Sequence, residues 1–418
     1  MRPSTSRMLA IPWFVNSLDR IFLTFVHPPC DILMTLLCVT FWLTLLLVVY
    51  AYVGFPVLLM VRGLLARPIR KSPATPNVTL VIIAHNEEDV IADKLQNAIT
   101  QDYPGEKLEI LVGSDGSDDR TNEIVQGFKH AGVRLIACER QGKIGTLNET
   151  VAHAQGEILV FSDANSMYDS KSLQAIASCF SDPKVGGVAG DQVYTTDKGN
   201  AGSLGERLFW NFDRFLKQMQ SRSGSVTSST GAIHAVRRDL FEPVPSGVCD
   251  DFLISTRVIA KGYRLVFEPN AIAYEEVAAS DKAEFRRKSR IIARGIRGLW
   301  VMKTLLNPLA YGFYSFQLAS HKLLRWSVIF LLPVILLLNV ACVGEGLVYQ
   351  VLLGLQLAFY ALAFVGILLR NTPIFRNKLA KIMAVPYFFC MANFSALSGW
   401  YQFFVGRRVD IWNSHRAV

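Results

Sequence analysis

The sequence VTLVIIAHNEE, residues 78–88, is an apolar run rich in β-branched residues that ends in polar and acidic side chains. Its length and composition are typical of a strand buried on both faces of a sheet. Runs of the same kind follow at 108–112, 133–137 and 158–161, and segments with helical spacing separate them. This alternation predicts an α/β fold in which helices cover both faces of a mainly parallel sheet.

Polar side chains follow three of these runs and are the first candidates for binding residues: Asn86, Glu87, Asp115, Asp163 and Asn165. In a sheet of this kind, ligands bind beyond the carboxyl ends of the strands. Asp163 and Asn165 can present oxygen ligands to one Mg²⁺ or Mn²⁺ ion together with substrate phosphates. A role in turns or helix caps is the alternative for the aspartates, and Asp119 is placed to cap a helix that begins near Thr121.

Two more polar groups precede segments with helical spacing. Lys143 and Asn148 belong to GKIGTLN, residues 142–148, which could bind an anion or form a solvated loop. Asp250 and Asp251 also stand at a predicted helix start. They could cap that helix, or one of them could act as the general base for a hydroxyl group.

The composition is too apolar for an ordinary soluble enzyme, because hydrophobic residues make up 51% and charged residues 18% of the chain. The net charge of +9 suits anionic lipid or a nucleotide diphosphate as partner. Nucleic acid is not expected, since the chain has no helix-turn-helix, zinc-finger or RNA-binding pattern. The seven cysteines are scattered without a Cys-x-x-Cys pair, which argues against a disulfide framework and a thiolate metal site.

Apolar runs on both sides of the central α/β segment predict a multi-pass protein of the plasma (inner) membrane. We expect an interfacial segment at 1–30, transmembrane helices at 31–62, 323–343, 346–369 and 381–405, a catalytic domain at 77–282, amphipathic interfacial helices at 283–320 and a tail at 406–418. Basic residues follow the first span at Arg62, Arg67, Arg70 and Lys71, so the positive-inside rule places the central domain in the cytoplasm. Four spans would put both termini outside, whereas the basic tail favours the inside.

The segment after the α/β region has two stripes at about 100° per residue. One is apolar and consists of Phe285, Ile292, Ile296, Leu299 and Trp300; the other is basic and consists of Arg286, Arg287, Arg290, Arg294 and Arg297. This pattern predicts a helix on the membrane surface with its apolar stripe in lipid. The arginines could bind lipid headgroups or neutralise a departing diphosphate, and Arg290 is the candidate for the second role.

In their order along the chain, these motifs resemble the family 2 inverting glycosyltransferases, in particular the membrane-integrated synthases related to cellulose, chitin and hyaluronan synthases. The resemblance covers about residues 78–300 and the flanking membrane segments, and it implies a GT-A type, Rossmann-like fold. It implies that Asp115 contacts the uracil of a UDP-sugar and that Lys143 and Asn148 help to hold the donor. Asp163-Ala164-Asn165 would bind the metal and diphosphate, with Asn165 in place of the family's second Asp.

The same resemblance assigns the acceptor side. Asp251, beside Asp250, would be the catalytic base, and Thr230 and Gly231 would belong to the acceptor loop. Arg287 and Arg290 stand at the family's Gln-x-x-Arg-Trp motif. Ile291 replaces the Trp that caps the acceptor sugar in processive synthases, so processivity stays open.

The expected function is transfer from a UDP-sugar, with Mg²⁺ or Mn²⁺, to polymerise and export an extracellular or capsular polysaccharide. The expected partners are a glycan acceptor, membrane lipids and a homo-oligomer or export subunit. The alternative is non-processive transfer to a lipid or lipid-linked acceptor. A membrane-anchored nucleotide-binding scaffold without turnover is the third hypothesis, and Asp251→Asn separates it from the two enzymes.

Overall fold

The computed structural model describes residues 28–66, 69–195, 204–276, 281–369, 372 and 381–406. The side chains of residues 28–31, 195, 204–209, 281 and 381 are not part of this description. Most of the predicted interfacial segment at 1–30 and the tail at 407–418 lie outside the described residues, as does Arg67.

The described residues form one eight-stranded sheet. Its strands are β1 (Val78–Ala84), β2 (Leu108–Asp115), β3 (Val133–Cys138), β4 (Ile158–Asp163), β5 (Met167–Tyr168), β6 (Val185–Thr195), β7 (His234–Arg237) and β8 (Arg264–Glu276). They lie in the order β3-β2-β1-β4-β7-β6-β8-β5. The pairs among β3, β2, β1 and β4 and the pair β6–β8 are parallel, whereas β7 runs antiparallel to both β4 and β6. The predicted mainly parallel α/β sheet is therefore confirmed, with a short antiparallel strand, β7, at its middle and another, β5, at its edge.

Helices accompany the sheet and continue beyond it. They are α1 (Pro28–Val49), α2 (Phe55–Leu65), α3 (Ile91–Ile99), α4 (Thr121–Gly127), α5 (Lys143–Ala152), α6 (Ser172–Cys179), α7 (Leu204–Ser223), α8 (Asp250–Ala260), α9 (Asp281–Val301), α10 (Pro308–Tyr311), α11 (Phe313–Leu318), α12 (Arg325–Ala341), α13 (Leu347–Leu369) and α14 (Lys381–Phe404). Short π-helical turns at Tyr50–Gly54 and Ala319–Leu324 precede α2 and α12.

Strand β1 is buried along its whole length because alternate side chains pack on opposite faces of the sheet. Leu80 and Ile82 belong to the core that includes Leu95 of α3. Val81 and Ile83 belong to the core that includes Leu147 of α5. Helices on both faces thus exclude water from the strand, which explains its continuous apolar sequence.

The parallel register brings the polar strand ends to one edge of the sheet. Ala84 pairs with Ser114, and Ile83 pairs with Asp163, so β1 ends between the ends of β2 and β4. Asp115 is the last residue of β2 and pairs with Cys138. The loops that follow these strands therefore start close together.

Four stretches of helix are long and apolar enough to cross a membrane: Ile32–Leu65, Phe313–Ala341, Leu347–Leu369 and Ile382–Phe404. Large apolar side chains on them are exposed, as expected of surfaces that face lipid. The chain divides into two compact units. One holds α1 and Phe330–Phe359, and the other holds Tyr50–Ile329 and the described chain from Tyr360 onward. The sheet and all the residues discussed below belong to the second unit.

The apolar stripe of α9 contacts protein where we expected lipid. Ile296 and Leu299 are only 4% and 5% exposed, whereas Trp300 is 65% exposed. Glycines on the same helix allow close packing, because a Cβ at Gly298 would lie 2.7 Å from the ring of Phe252. The expectation that this whole stripe lies in lipid is therefore wrong at two of its five positions.

Candidate active site

A cavity of about 1120 Å³ opens at the carboxyl edge of the sheet. Ten of the predicted site residues line it: Glu87, Lys143, Asp163, Asn165, Thr230, Gly231, Asp250, Asp251, Arg287 and Arg290. They come from the end of β4 and from loops or helices after β1, β3, β4, β6, β7 and β8 that are distant in sequence. The convergence expected from the strand ends is thus present for these ten residues.

Lys143 links two of the candidate carboxylates across this cavity. Its Nζ lies 2.7 Å from Oδ1 of Asp163 and 3.3 Å from Oδ2 of Asp250. Burial alone would lower the pKa of the Lys143 ammonium, but the two aspartates raise it above its usual value. The lysine is therefore a fixed positive charge at the first residue of α5.

Asp115 organises the turn that presents Lys143. Its Oδ1 accepts hydrogen bonds from the backbone amides of Gln141 and Gly142, both at 2.8 Å, and Arg140 pairs with its Oδ2 at 2.7 Å. Gly142 has a φ of 85°, a left-handed conformation that favours glycine. Asp115 is 0% exposed and is not part of the cavity wall.

Asn148 and Asn86 also lie outside the cavity wall. Asn148 exchanges two hydrogen bonds of 2.8 Å with the backbone of Val244, which ties α5 to the loop before α8. Asn86 exchanges hydrogen bonds with Asp118 and has a φ of 52°, the one positive value of a non-glycine residue among the described residues. These two amides hold loops in place around the site.

The donor set of Asp163 and Asn165 fits a divalent cation. Lys143 occupies Oδ1 of Asp163, whereas Oδ2 faces Gly231, where an added Cβ would lie 3.3 Å away. The missing side chain of Gly231 leaves room beside that oxygen. Carboxylate and amide oxygens are ligands that Mg²⁺ and Mn²⁺ accept together with phosphates.

A second arrangement of possible ligands is less suitable. Among the described residues, the ligand atoms of Cys249, Asp250 and Asp251 lie within 4.8 Å of one another. Burial and the two adjacent carboxylates raise the pKa of the Cys249 thiol well above its usual value, so it stays protonated. Lys143 already pairs with Asp250.

Two residues that the sequence analysis did not select fix the loop after β4. The ammonium of Lys94 donates a hydrogen bond to the carbonyl of Ser166, and the hydroxyl of Ser166 donates one to Glu275. Burial lowers the pKa of Lys94 to about 7, although Asp163 and Glu275 oppose this shift. Lys94 shares the buried face of α3 with Ile91, Leu95 and Ala98, and a lysine at such a position was a signal available in the sequence.

The pKa of Asp251 is raised above that of an ordinary aspartate. Burial and the like charge of Asp250 raise its pKa, whereas Lys143 lowers the pKa of Asp250 against the effect of burial. The amide of Phe252 donates a 2.7 Å hydrogen bond to Oδ1 of Asp251. The two adjacent carboxylates thus differ in proton affinity, and both belong to the cavity wall.

The loop before β7 brings the polar residue Thr230 to the cavity wall. The Thr230 hydroxyl is buried, lines the cavity and has no hydrogen-bond partner among the described residues. His234 stacks on Phe161 at 4.8 Å, and burial lowers its pKa to about 4, so the imidazole is neutral. Its Nδ1 contacts the carbonyl of Thr230 at 3.0 Å, which fixes the loop.

Arg287 and Arg290 reach the cavity from α9. Glu284 and the hydroxyl of Tyr194 hold the Arg287 guanidinium at 2.8 Å and 2.6 Å. Burial and the neighbouring Arg294 lower the pKa of Arg290, which also feels the charge of Asp163. The two arginines bring positive charge to the cavity wall.

Part of the chain is similar to known proteins. Residues 79–244 match the family described as Glycosyl transferase family 2. A probable glycosyltransferase, YdaM of Bacillus subtilis (strain 168), is 27% identical over 231 residues, which are 51% of this chain and 54% of that protein. Poly-beta-1,6-N-acetyl-D-glucosamine synthase of Staphylococcus aureus (strain MSSA476) is 25% identical over 204 residues, 47% of this chain and 49% of that protein. The chain spans about half the length of these curated relatives.

A solved structure shares the fold over most of the chain. The mannosyltransferase PcManGT of Pyrobaculum calidifontis, in complex with GDP-Man and Mn²⁺, matches with a TM-score of 0.67 and 22% sequence identity. The match covers 88% of this chain and 99% of that chain. The GT-A type fold expected from the motifs is therefore confirmed.

Proposed function

Since the chain contains a glycosyltransferase family 2 domain at residues 79–244, we propose that it is an inverting glycosyltransferase that uses a UDP-sugar and a divalent cation. The observation that carries this proposal is the ion-pair bridge from Asp163 through Lys143 to Asp250 in one cavity. This bridge joins Asp163, the candidate ligand of the metal and diphosphate, to the first turn of α8, which holds the candidate base Asp251.

The proposed reaction is a single displacement. Asp251 removes the proton of an acceptor hydroxyl, whose oxygen attacks the anomeric carbon of the donor. The bond from that carbon to the diphosphate oxygen breaks, UDP leaves with the electron pair, and the anomeric configuration inverts. No covalent intermediate with the enzyme is needed.

Positive charge on the donor side supports this reaction. Arg290 and Lys143 line the cavity beside Asp163 and can balance the charge that develops on the leaving diphosphate. When bound by Asp163 and Asn165, Mg²⁺ or Mn²⁺ supplies Lewis-acid stabilisation of the same group. The Mn²⁺ and GDP-Man in the Pyrobaculum calidifontis structure support a metal-dependent nucleotide sugar donor.

The first proposal for the acceptor is a growing extracellular or capsular polysaccharide, which the Staphylococcus aureus relative supports by its printed activity. Export of the chain, through a homo-oligomer or a partner subunit, belongs to this proposal. The second is a lipid or lipid-linked acceptor. The cavity wall favours the second, because it continues onto Val385, Phe388 and Phe389 of an apolar helix and carries Ile291 where processive relatives have Trp.

We place the catalytic domain at the cytoplasmic face of the membrane. Arg62 lies near the end of the first candidate span, Arg70 and Lys71 follow it, and basic residues favour the cytoplasmic side. In this proposal the UDP-sugar comes from the cytoplasm, so the donor reaches the cavity without crossing the membrane.

Purified full-length protein in lipid nanodiscs provides the test. We expect UDP release from at least one member of a UDP-sugar panel in the presence of Mn²⁺, and loss of nearly all of it in Asp251→Asn, since removal of a general base costs about 10²–10⁴-fold in rate. Asp239→Asn is the matched control, because Asp239 is exposed and outside the cavity wall. Unchanged turnover in Asp251→Asn contradicts the proposal. A high-molecular-weight product indicates a polymer, and an organic-extractable product indicates a lipid acceptor.

A further inference from the structure

A second group of charged side chains lines the same cavity and has no role in the reaction proposed above. It consists of Asp213 and Lys217 on α7, Lys322 in the π-helical turn and Arg325 at the start of α12, and we call it the basic cluster. Lys217 pairs with Asp213 at 3.1 Å. Three cations thus stand with one carboxylate in this cluster.

Neighbouring groups hold the basic cluster in position. Arg325 donates a hydrogen bond of 3.2 Å to Nε2 of His321, and Nδ1 of that histidine contacts the hydroxyl of Thr227 at 3.0 Å. The ammonium of Lys322 lies 5.6 Å from the ring centre of Trp326. Among the described residues, no carboxylate lies within ion-pair distance of Lys322.

Two of these cations lie in an apolar segment, where a charged side chain is energetically unfavourable. Lys322 and Arg325 lie within Phe313–Ala341, one of the four stretches apolar enough to cross a membrane. Charged groups in such segments are expensive, face cavities or partners, and mark the paths of substrates. Both side chains face the cavity, in agreement with this rule.

The cluster lies on the side of the candidate base. The charges that act most strongly on Lys322 are those of Asp213, Lys217 and Asp251. Arg290 has both Cys249 and Asp163 among its neighbouring charges. Among the described residues, Asp163 forms its ion pair with Lys143 and with no member of the basic cluster.

An apolar wall continues from the basic cluster. It is formed by Tyr52, Phe212, Trp326, Val385, Phe388 and Phe389. Val385 is on α14, and its side chain is 44% exposed. A ligand that carries an anionic head and an apolar chain can thus meet positive charge and apolar surface in one cavity.

We propose that the basic cluster binds the phosphate group of a lipid acceptor, whose apolar chain lies against this wall; the inference rests on the proposed glycosyl transfer and names the class of its acceptor. A lipid phosphate carries one or two negative charges, which the three cations and one carboxylate of the cluster can balance. Ammonium and guanidinium groups form strong charge-assisted hydrogen bonds with phosphate oxygens.

Binding of geranylgeranyl phosphate to the full-length protein in nanodiscs tests the inference, with geranylgeraniol and inorganic phosphate as the matched probes. We expect the lipid phosphate to bind at least tenfold more tightly than either probe. Lys322→Met should weaken its binding about tenfold to a hundredfold, since hydrogen bonds to charged groups are worth about 1.5–3 kcal/mol. Lys322→Arg should retain most of the affinity, and Lys184→Met, at an exposed lysine, should retain all of it.

The outcomes separate the inference from the proposed function, because the binding assay needs no donor. If geranylgeraniol binds as tightly as the lipid phosphate, binding depends on the apolar wall alone. If inorganic phosphate binds as tightly, the cluster is a site for free anions. Either result overturns the inference. Unchanged binding in Lys322→Met overturns it as well. If the lipid phosphate binds but no UDP-sugar is turned over, the site stands and the proposed function fails.

Discussion

The ammonium nitrogen of Lys143 lies 2.7 Å from Oδ1 of Asp163. One residue begins α5 and the other ends β4, so the ion pair joins two loops at the carboxyl edge of the sheet. Asp163 keeps its second oxygen toward Gly231. The lysine therefore orients the aspartate without covering the oxygen that a cation would use.

We expect Lys143→Met to lower kcat/KM for the UDP-sugar by about 10²–10³-fold, because a preorganised charge at the diphosphate is lost. The variant also leaves Asp163 and Asp250 without their shared cation. Initial rates of UDP release at varied donor concentration measure this change. Lys129→Met, at an exposed lysine, is the control and should leave the rates unchanged. An unaltered kcat/KM in Lys143→Met would remove the lysine from the donor site.

The pH profile of kcat/KM should have an acidic limb whose midpoint lies above about pH 3.9, the ordinary pKa of an aspartate. Burial and the charge of Asp250 raise the pKa of Asp251, and the base is active only when it is deprotonated. Asp250→Asn removes the neighbouring negative charge, so the limb should move to lower pH even though the rate falls. A limb that moves to higher pH in this variant would contradict the assignment of Asp251.

Gly231→Ala should weaken the binding of the divalent cation. A methyl group at this position would lie 3.3 Å from Oδ2 of Asp163 and crowd the ligand oxygen. We expect the Mn²⁺ concentration for half-maximal activity to rise about tenfold, as found when groups next to metal ligands change. Gly127→Ala has open space around the added methyl and serves as the control. Activity that survives exhaustive chelation in the wild type would refute the metal site itself.

Lys94→Met should alter the pH dependence of stability. Burial lowers the pKa of Lys94 to about 7 in the folded protein, while the unfolded chain keeps a value near 10.4. Between these pH values the unfolded state binds more protons, so the contribution of Lys94 to the free energy of unfolding increases as pH rises and is least favourable below pH 7. The difference in Tm between wild type and variant should therefore shift in favour of the wild type from pH 7 to pH 10. Parallel Tm profiles would show that Lys94 does not titrate in this range.

The sequence predicted those strands that are apolar along their length and polar at their carboxyl ends. Runs such as 78–84 are apolar throughout and then turn polar at once, so both the buried strand and the functional loop could be read from one pattern. Convergence of Lys143 and Asp163 followed from the rule that parallel strands end at one edge, whereas Asp251 follows the antiparallel strand β7, which the rule does not cover. The short strand β7 gave no comparable signal, since four residues carry too little periodicity.

Burial of individual polar groups could not be predicted in the same way. Asp115 is enclosed because the amides of Gln141 and Gly142, from a distant segment, converge on its carboxylate. The apolar stripe of α9 predicted the face that avoids water, but periodicity alone does not distinguish lipid from protein. Gly298 and Phe252 decide that question at the middle of the helix.

Lys143 and Asp250 are each the first residue of a helix, and their side chains meet at 3.3 Å. A donor diphosphate that draws the ammonium toward itself weakens the hold of Lys143 on the first turn of α8. The charge of Lys143 lowers the pKa of Asp251, so its withdrawal leaves that carboxylate with a greater affinity for protons. In the proposed reaction, a donor that withdraws Lys143 makes Asp251 a stronger base, and we predict ordered addition, with the donor binding before the acceptor.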